Sequence, residues 1–165
     1  MKTFTLADYR QTDAPDVNRI ALAAFQQYQS EYSDWEVFAG RIGNMSALAA
    51  VGEIILAKAE DGLIAGAVAY VGPGKEKASY FNQEWPILRM LVVDPIFRGL
   101  GVGRLLTQEC IRRAIRDSAP LIALHTSRIM TVALPMYERM GFQFECEAPS
   151  IHGVPYGVYI LKLRK

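Results

Sequence analysis

Between positions 98 and 104 the chain reads Arg98-Gly99-Leu100-Gly101-Val102-Gly103-Arg104, and no other stretch limits the fold as much. The residues before it, 88–93, form a dense apolar run closed by Asp94-Pro95, which reads as a buried strand and its exit. The residues after it place Val102, Leu105, Leu106, Cys110 and Ala114 at helical spacing, through about position 117. Arg104, Gln108, Arg112 and Arg116 recur every fourth position on the opposite side, which reads as a solvated face rather than a nucleic-acid footprint. A strand must therefore pass through a glycine-rich turn directly into a helix.

Glycine admits backbone angles that other residues resist, and without a Cβ it lets a ligand reach the main chain. The first amides of a helix have no internal partner, and the helix dipole adds positive potential there. Residues 96–103 supply no Ser, Thr, Asp or Asn to cap them. Arg98 and Arg104 flank the helix start, where a cation costs roughly 0.3–1 kcal/mol. A bound phosphate reverses that cost and satisfies the amides. The loop reads as an anion site, with a bare tight turn as the alternative. Other phosphate loops do not fit. A Walker loop ends Gly-Lys-Ser/Thr where this one has Gly103-Arg104-Leu105, and a dinucleotide fingerprint needs a glycine where Arg104 stands.

The remaining elements follow from local signals. Residues 4–10 read as a first strand, and Asp13 as the cap of a helix to about Tyr28 whose buried face carries Val17, Ile20, Ala21, Ala24 and Phe25. A second helix is expected from Asp34 to about Ala50, interrupted by Gly40 and Gly43. Residues 53–59 and 63–71 read as a hairpin turned by Asp61-Gly62, with both turn residues at positive φ. A long polar loop covers 72–86. After the glycine loop and its helix come a strand at 121–126, a short helix near 134–140, and strands from Phe142 and from Val154. That order is a mixed α/β domain, and 165 residues suit one compact domain over 1–165.

Composition excludes several classes. A net charge of +1, from 18 basic and 17 acidic residues, lacks the global basic excess of a dedicated nucleic-acid binder. Cys110 and Cys146 sit in apolar stretches and read as two buried thiols of a reducing cytoplasm; neither has ligands at zinc spacing, so no metal is expected. With no signal segment and no apolar run near the roughly 18 residues of a membrane span, a cytoplasmic protein without a membrane partner is the simplest expectation.

At the glycine loop the sequence resembles the GNAT superfamily of acyl-CoA-dependent N-acyltransferases. Arg98, Gly101 and Gly103 match the family's Arg/Gln-x-x-Gly-x-Gly/Ala signature, and Leu91-Val92-Val93-Asp94-Pro95 resembles its fourth strand and exit. Tyr137, Gly141 and Phe142, with Ala133, match a second signature further along. The resemblance implies a mostly antiparallel, twisted sheet of about seven strands, splayed between the fourth and fifth and flanked by about four helices. It implies acetyl-CoA as co-substrate, its pantetheine arm paired with Leu91, Val92 and Val93. Its diphosphate would lie on Gly99, Leu100, Gly101, Val102, Gly103 and Arg104 beside Arg98. Three departures are visible: Met130 where many members have Asn, Pro135 where Ala is common, and Ile87 where many have a strand Glu. Pro135 costs about 3 kcal/mol inside a helix, so that helix should begin late enough to place it in the first turn.

The implied reaction transfers an acetyl group to a primary amine of a small molecule or peptide by direct attack in a ternary complex. An alkylamine is less than about 0.1% neutral at pH 7, so a base or a desolvating pocket is required. By resemblance Tyr137 is the general acid for the departing thiolate; a tyrosine that only packs is the alternative. For the base, Glu84 and His125 both stay open, each with a plain structural reading beside it. Tyr32 and Tyr80, with Tyr28, Trp35 and Trp85, are candidates to line the acceptor pocket, and Glu31, Asp34 and Glu84 to attract a cationic amine. A non-catalytic acyl-CoA-binding or sensing module is the competing function, a nucleic-acid role rests only on Arg104, Arg112, Arg113 and Arg116, and assembly as a homodimer stays open.

Overall fold

A computed structural model describes residues 2–163. Seven strands form one sheet in the order β1-β2-β3-β4-β5-β7-β6. They are β1 (Phe4–Asp8), β2 (Glu53–Ala59), β3 (Ile64–Val71), β4 (Ile87–Val93), β5 (Leu121–Thr126), β6 (Gln143–Ile151) and β7 (Val154–Lys162). All neighbours are antiparallel except β4 and β5. Four α-helices flank the sheet among the described residues: α1 (Ala14–Phe25), α2 (Trp35–Ile42), α3 (Val102–Arg116) and α4 (Ala133–Arg139). The expected fold is the observed one.

β3 is buried at every position because helices cover both faces of the sheet at its centre. One core joins α1 and α2 to one face through Val17, Ile20, Phe38, Leu56 and Val92. The other joins α3 and α4 to the opposite face through Leu106, Cys110, Val68, Leu124 and Tyr137. α3 lies so close to the sheet that a Cβ at Gly66 would stand 2.7 Å from Val92 O and 2.9 Å from a Val102 methyl. That contact fixes the start of α3 against β3.

Several local expectations need correction. The helix expected through Tyr28 ends at Phe25 and continues as a 3-10 turn, Gln26–Glu31. Asp13 does not cap it; its carboxylate accepts from Arg10 N at 2.8 Å and closes the preceding turn instead. The helix expected from Asp34 to Ala50 breaks after Ile42, as its glycines warned, and resumes as a 3-10 turn, Met45–Ala50. At the first hairpin only Gly62 has positive φ (88°), and a register slip after Ala57 absorbs the longer turn. The tight two-residue turn is instead His152-Gly153, with φ of 44° and 83° and Ile151 opposite Val154. Cys110 is buried as expected, but Cys146 is exposed, because β6 is an edge strand with little covering either face.

The basic row of α3, Arg104, Gln108, Arg112 and Arg116, is exposed as expected, and the buried cation of the helix is Arg113 beside it. The Arg113 guanidinium is almost buried and donates to Glu109 Oε2 (2.9 Å), Glu53 Oε1 (2.7 Å) and Asp8 Oδ1 (2.9 Å), tying α3 to β2 and the end of β1. Arg112 pairs with Glu109, and Arg116 with Glu53 and Asp117. The Arg112 and Arg113 guanidiniums hold the Glu109 carboxyl down at about 2. Removing one partner of a buried ion pair costs about 3–5 kcal/mol, less where the others keep water or a second cation. Arg113→Met is therefore expected to lower unfolding free energy by about 1–3 kcal/mol in urea titration; an unchanged midpoint would remove the network as a structural tie.

Candidate functional site

The site begins where the sheet comes apart. β4 and β5 share a single paired position, Ile87 with Ala123, and diverge beyond it. β4 is also bent at that point. Met90 has φ of 58°, and its pairing with β3 slips between Ala67 and Ala69. A non-glycine residue held there costs about 1–2 kcal/mol, strain stored where the gap opens. From Arg89 onward the β5-facing edge of β4 has main-chain groups with no strand partner.

A cavity of about 350 Å³ fills this gap. β4 contributes Leu88 to Leu91, and β5 contributes His125 and Thr126. Met130, Ala133 and Tyr137 close one side, α2 and its following turn supply Phe38, Arg41 and Asn44, and Tyr156 comes from β7. Among the described residues no Asp or Glu lines it.

At the far end of β4 the chain turns through the glycine loop. Gly99 and Gly101 have φ of 76° and 85°, and nothing lies within 4 Å of a Cβ built on either. They are glycine because of their backbone angles, and the space above them is open. Gly101 is the N-cap of α3 and supplies no side-chain acceptor. The first helical rung runs from Leu105 N to Gly101 O (3.0 Å), so the amides of Val102, Gly103 and Arg104 precede it. No hydrogen bond described within the protein uses a main-chain N–H from residue 99 to residue 104. The Arg98 guanidinium donates to Ala24 O at 3.4 Å, pinning the loop to the C-terminal end of α1, while the Arg104 side chain is exposed.

Tyr137 sits on α4 with only 5% of its surface exposed, packed edge-on against Phe142 at 5.7 Å. Its hydroxyl has no hydrogen-bond partner among the described residues, while the residue lines the cavity. Burial pushes the phenol above its usual range, so it keeps its proton at neutral pH. Pro135 falls in the first turn of α4, where the missing N–H is harmless, so the helix forms around it. Met130 also faces the cavity, its sulfur accepting from Thr126 Oγ1 at 3.4 Å.

His125 stands in the gap among the rings of Tyr80, Phe81 and Tyr156. Burial, with help from the Arg89 guanidinium, pulls its pKa from 6.5 down to about 4. It is a neutral imidazole and a weak base at pH 7. Because the unfolded chain takes up this proton first, folding stability falls as pH drops from about 6.5 to 4, and the contribution is complete above 6.5. Glu109 titrates lower, from 4.5 toward 2, and does not mask the upper part of that window. His125→Gln should flatten the dependence of the urea midpoint on pH between 4.5 and 6.5; parallel curves for the two proteins would contradict the assignment.

The other sequence candidates fall around the cavity rather than in it. Glu84 is exposed on the 72–86 loop and is not part of the lining. Tyr32 lies one layer back, stacked on Phe38 at 4.2 Å, its hydroxyl hydrogen-bonded to that of Tyr156. Tyr80 touches the site through His125, its hydroxyl 3.5 Å from Nδ1. Trp35 packs edge-on against Phe38 (6.0 Å), and Trp85 packs in a small core beside Ile87. The 72–86 loop is ordered by Lys77, whose nearly buried ammonium donates to Gly72 O (3.1 Å), Lys75 O (2.8 Å) and Gln83 O (2.8 Å).

Against known proteins, the family model described as Acetyltransferase (GNAT) family matches residues 14–142. The chain belongs to the GNAT acetyltransferase family. No curated protein sequence matches this GNAT chain, whereas solved structures match it over nearly their full length. A histone acetyltransferase HPA2 and related acetyltransferase from Corynebacterium glutamicum superposes with a TM-score of 0.74 at 23% identity, over 97% of this chain and 96% of the other. A GCN5-related N-acetyltransferase from Rhodopseudomonas palustris gives 0.77 at 20%, over 99% and 98%. yncA from Salmonella typhimurium, solved with its cofactor acetyl-CoA, gives 0.70 at 14%, over 99% and 95%. At these identities the structural likeness speaks for the fold.

Sequence reasoning missed four residues that the GNAT gap brings together: Arg41, Arg89, Met90 and Tyr156. Arg89 carried a signal, a charge in the middle of the apolar run Ile87-Leu88-Arg89-Met90-Leu91. Met90 carried none, since its positive φ is imposed by the bulge. No helix among the described residues is long and apolar enough to cross a membrane.

Proposed function

We propose that this chain transfers an acetyl group from acetyl-CoA to a primary amine by direct attack in a ternary complex. The observation that carries the reading is the alignment of three features along β4. Uncapped amides stand at the start of α3, unpaired strand edge follows, and a cavity bearing the Tyr137 hydroxyl lies beyond. A diphosphate, a pantetheine arm and a thioester require those features in that order. The family match and the acetyl-CoA in yncA support the choice of donor.

The thioester supplies an activated acyl group and a thiol leaving group. The chain's own residues do the rest. Main-chain amides of residues 99–104 and the α3 dipole hold the diphosphate, with Arg104 adding charge from the side. Arg98 positions the loop through Ala24 O. The free edge around Leu91, Val92 and Val93 holds the arm in extended form, and amides beside the Met90 bulge polarise the thioester carbonyl. Tyr137, kept protonated by burial, donates to the departing sulfur.

The amine must arrive neutral. A half-buried cavity without carboxylates and with two guanidiniums lowers the pKa of a bound ammonium through desolvation and like charge. The chain can select the neutral amine without a strong base. Glu84, acting through water, and His125 remain proposals for the proton's exit. A protein in the cytoplasm, a homodimer and a single domain over 1–165 are likewise part of this reading.

Thiol release from acetyl-CoA, followed with and without an amine panel, tests it. Amine-dependent release with matching N-acetylated product is the expected result. Tight acetyl-CoA binding with no transfer to any amine would instead make the chain an acyl-CoA-binding module.

A further inference from the structure

We infer that the acceptor amine carries its own anionic group, a carboxylate or phosphonate, which Arg89 and Arg41 bind. The inference rests on the acyl-transfer reading and names the substrate class at that same site.

Arg89 is the decisive residue. It lies inside β4, half-buried, and no salt bridge or hydrogen bond of its side chain is found among the described residues. Among the described residues the other arginines either have partners or, like Arg10, Arg104, Arg128 and Arg139, stand exposed to water. Arg19, Arg112, Arg113 and Arg116 pair with carboxylates, and Arg98 bonds a carbonyl. A charge placed in a partly desolvated strand without a counter-ion is costly unless something completes it. Arg41, in the last turn of α2, reaches the same cavity and likewise has no described carboxylate partner.

Coenzyme phosphate does not explain Arg89. β4 runs from Ile87 to Val93 and on toward the glycine loop, so the diphosphate end lies beyond Val93. Arg89 is at the opposite end of the strand, past the Met90 bulge. Counting from the paired Ile87 and Ala123, two residues along each parallel strand, Arg89 stands level with His125 across the opened gap. This is the acceptor's side of the thioester.

The cavity's chemistry then selects. With two arginines, a neutral histidine and no Asp or Glu in its lining, it repels a polyamine and suits an amine whose second group is anionic. Glu31, Asp34 and Glu84, the acids first considered for a cationic acceptor, line no part of it. A guanidinium meets a carboxylate or phosphonate through paired N–H donors, which also fixes orientation. One ligand anion against two guanidiniums leaves the surroundings positive, so the amine is still held neutral.

The test pairs binding with turnover. Calorimetry on the protein saturated with coenzyme A compares the standard α-amino acids, their amides and aminoalkylphosphonates, with spermidine as the cationic control. Binding of an amino acid or aminoalkylphosphonate at least about tenfold tighter than the matching amide or spermidine is expected. The relative strength of the first two identifies the anion. Arg89→Gln should weaken the anionic ligand by about 10–100-fold and leave the amide and the acetyl-CoA-induced melting shift unchanged. In acetylation assays the same loss should appear in KM for the anionic amine. Equal or better binding of amides or spermidine, equal loss for both ligand types in Arg89→Gln, or no binding of any anionic amine would overturn the inference. Because the calorimetric readout needs no transfer, a chain that binds amino acids yet releases no thiol would defeat the catalytic proposal alone.

Discussion

Gly101→Glu is expected to fold and to lose acetyl-CoA. At φ of 85° any side chain is strained by about 1–2 kcal/mol, so the variant should melt somewhat below wild type. No atom lies within 4 Å of the added Cβ, so the core is untouched. The carboxylate, however, hangs over the amides of Val102, Gly103 and Arg104, where it satisfies them itself and repels a diphosphate. Hydrogen bonds to a charged group contribute about 1.5–3 kcal/mol each, so losing two of them weakens binding by 100-fold or more, to order of magnitude. The melting shift given by saturating acetyl-CoA should vanish in thermal unfolding. Gly101→Ala separates the causes, since it carries the strain without the charge and should keep part of the shift. An undiminished shift in Gly101→Glu would show that the coenzyme lies elsewhere.

Tyr137→Phe has the second large effect, on rate instead of affinity. The hydroxyl has no described partner in the protein, and the ring packs against Phe142, so the substitution preserves the core. General acid catalysis is worth roughly 10²–10⁴-fold, and a thiol with a pKa near 8.5 is a fair leaving group without help. The expected fall in kcat is therefore near the lower bound, about 100-fold at pH 7, with KM for acetyl-CoA little changed. The defect should shrink above about pH 8.5, where the thiolate departs unprotonated. Wild-type turnover in the variant would leave Tyr137 a packing residue.

Which parts of this were legible in the sequence follows from what each part depends on. The glycine loop was legible because its angles and its missing cap are local properties: Gly99 and Gly101 adopt the positive φ that only their composition suggested. Tyr137 came to notice only through the family resemblance carried by Tyr137, Gly141 and Phe142, and the structure places it in the cavity lining. β3 announced itself as a continuous apolar run, as a strand covered on both faces must. Misreadings arose where tertiary partners decide. Cys146 looks like a core residue along the chain, yet β6 lies at the sheet's edge. Asp13 has the right identity for a helix cap, but Arg10 N claims its carboxylate. The 72–86 loop seemed merely polar because nothing local says that Lys77 will turn inward to gather three carbonyls. Residues of the cavity lining were hardest to see. Arg41, Arg89 and Tyr156 come from three separate elements, and only the parting of β4 from β5 gives them a common space.

That parting is also where a direct test should aim. A crystal grown with acetyl-CoA should place the diphosphate on the amides of residues 99–104, the arm along the free edge of β4, and the thioester sulfur within hydrogen-bonding reach of the Tyr137 hydroxyl. Density for the coenzyme outside the β4–β5 gap, or a diphosphate held away from the start of α3, would contradict it.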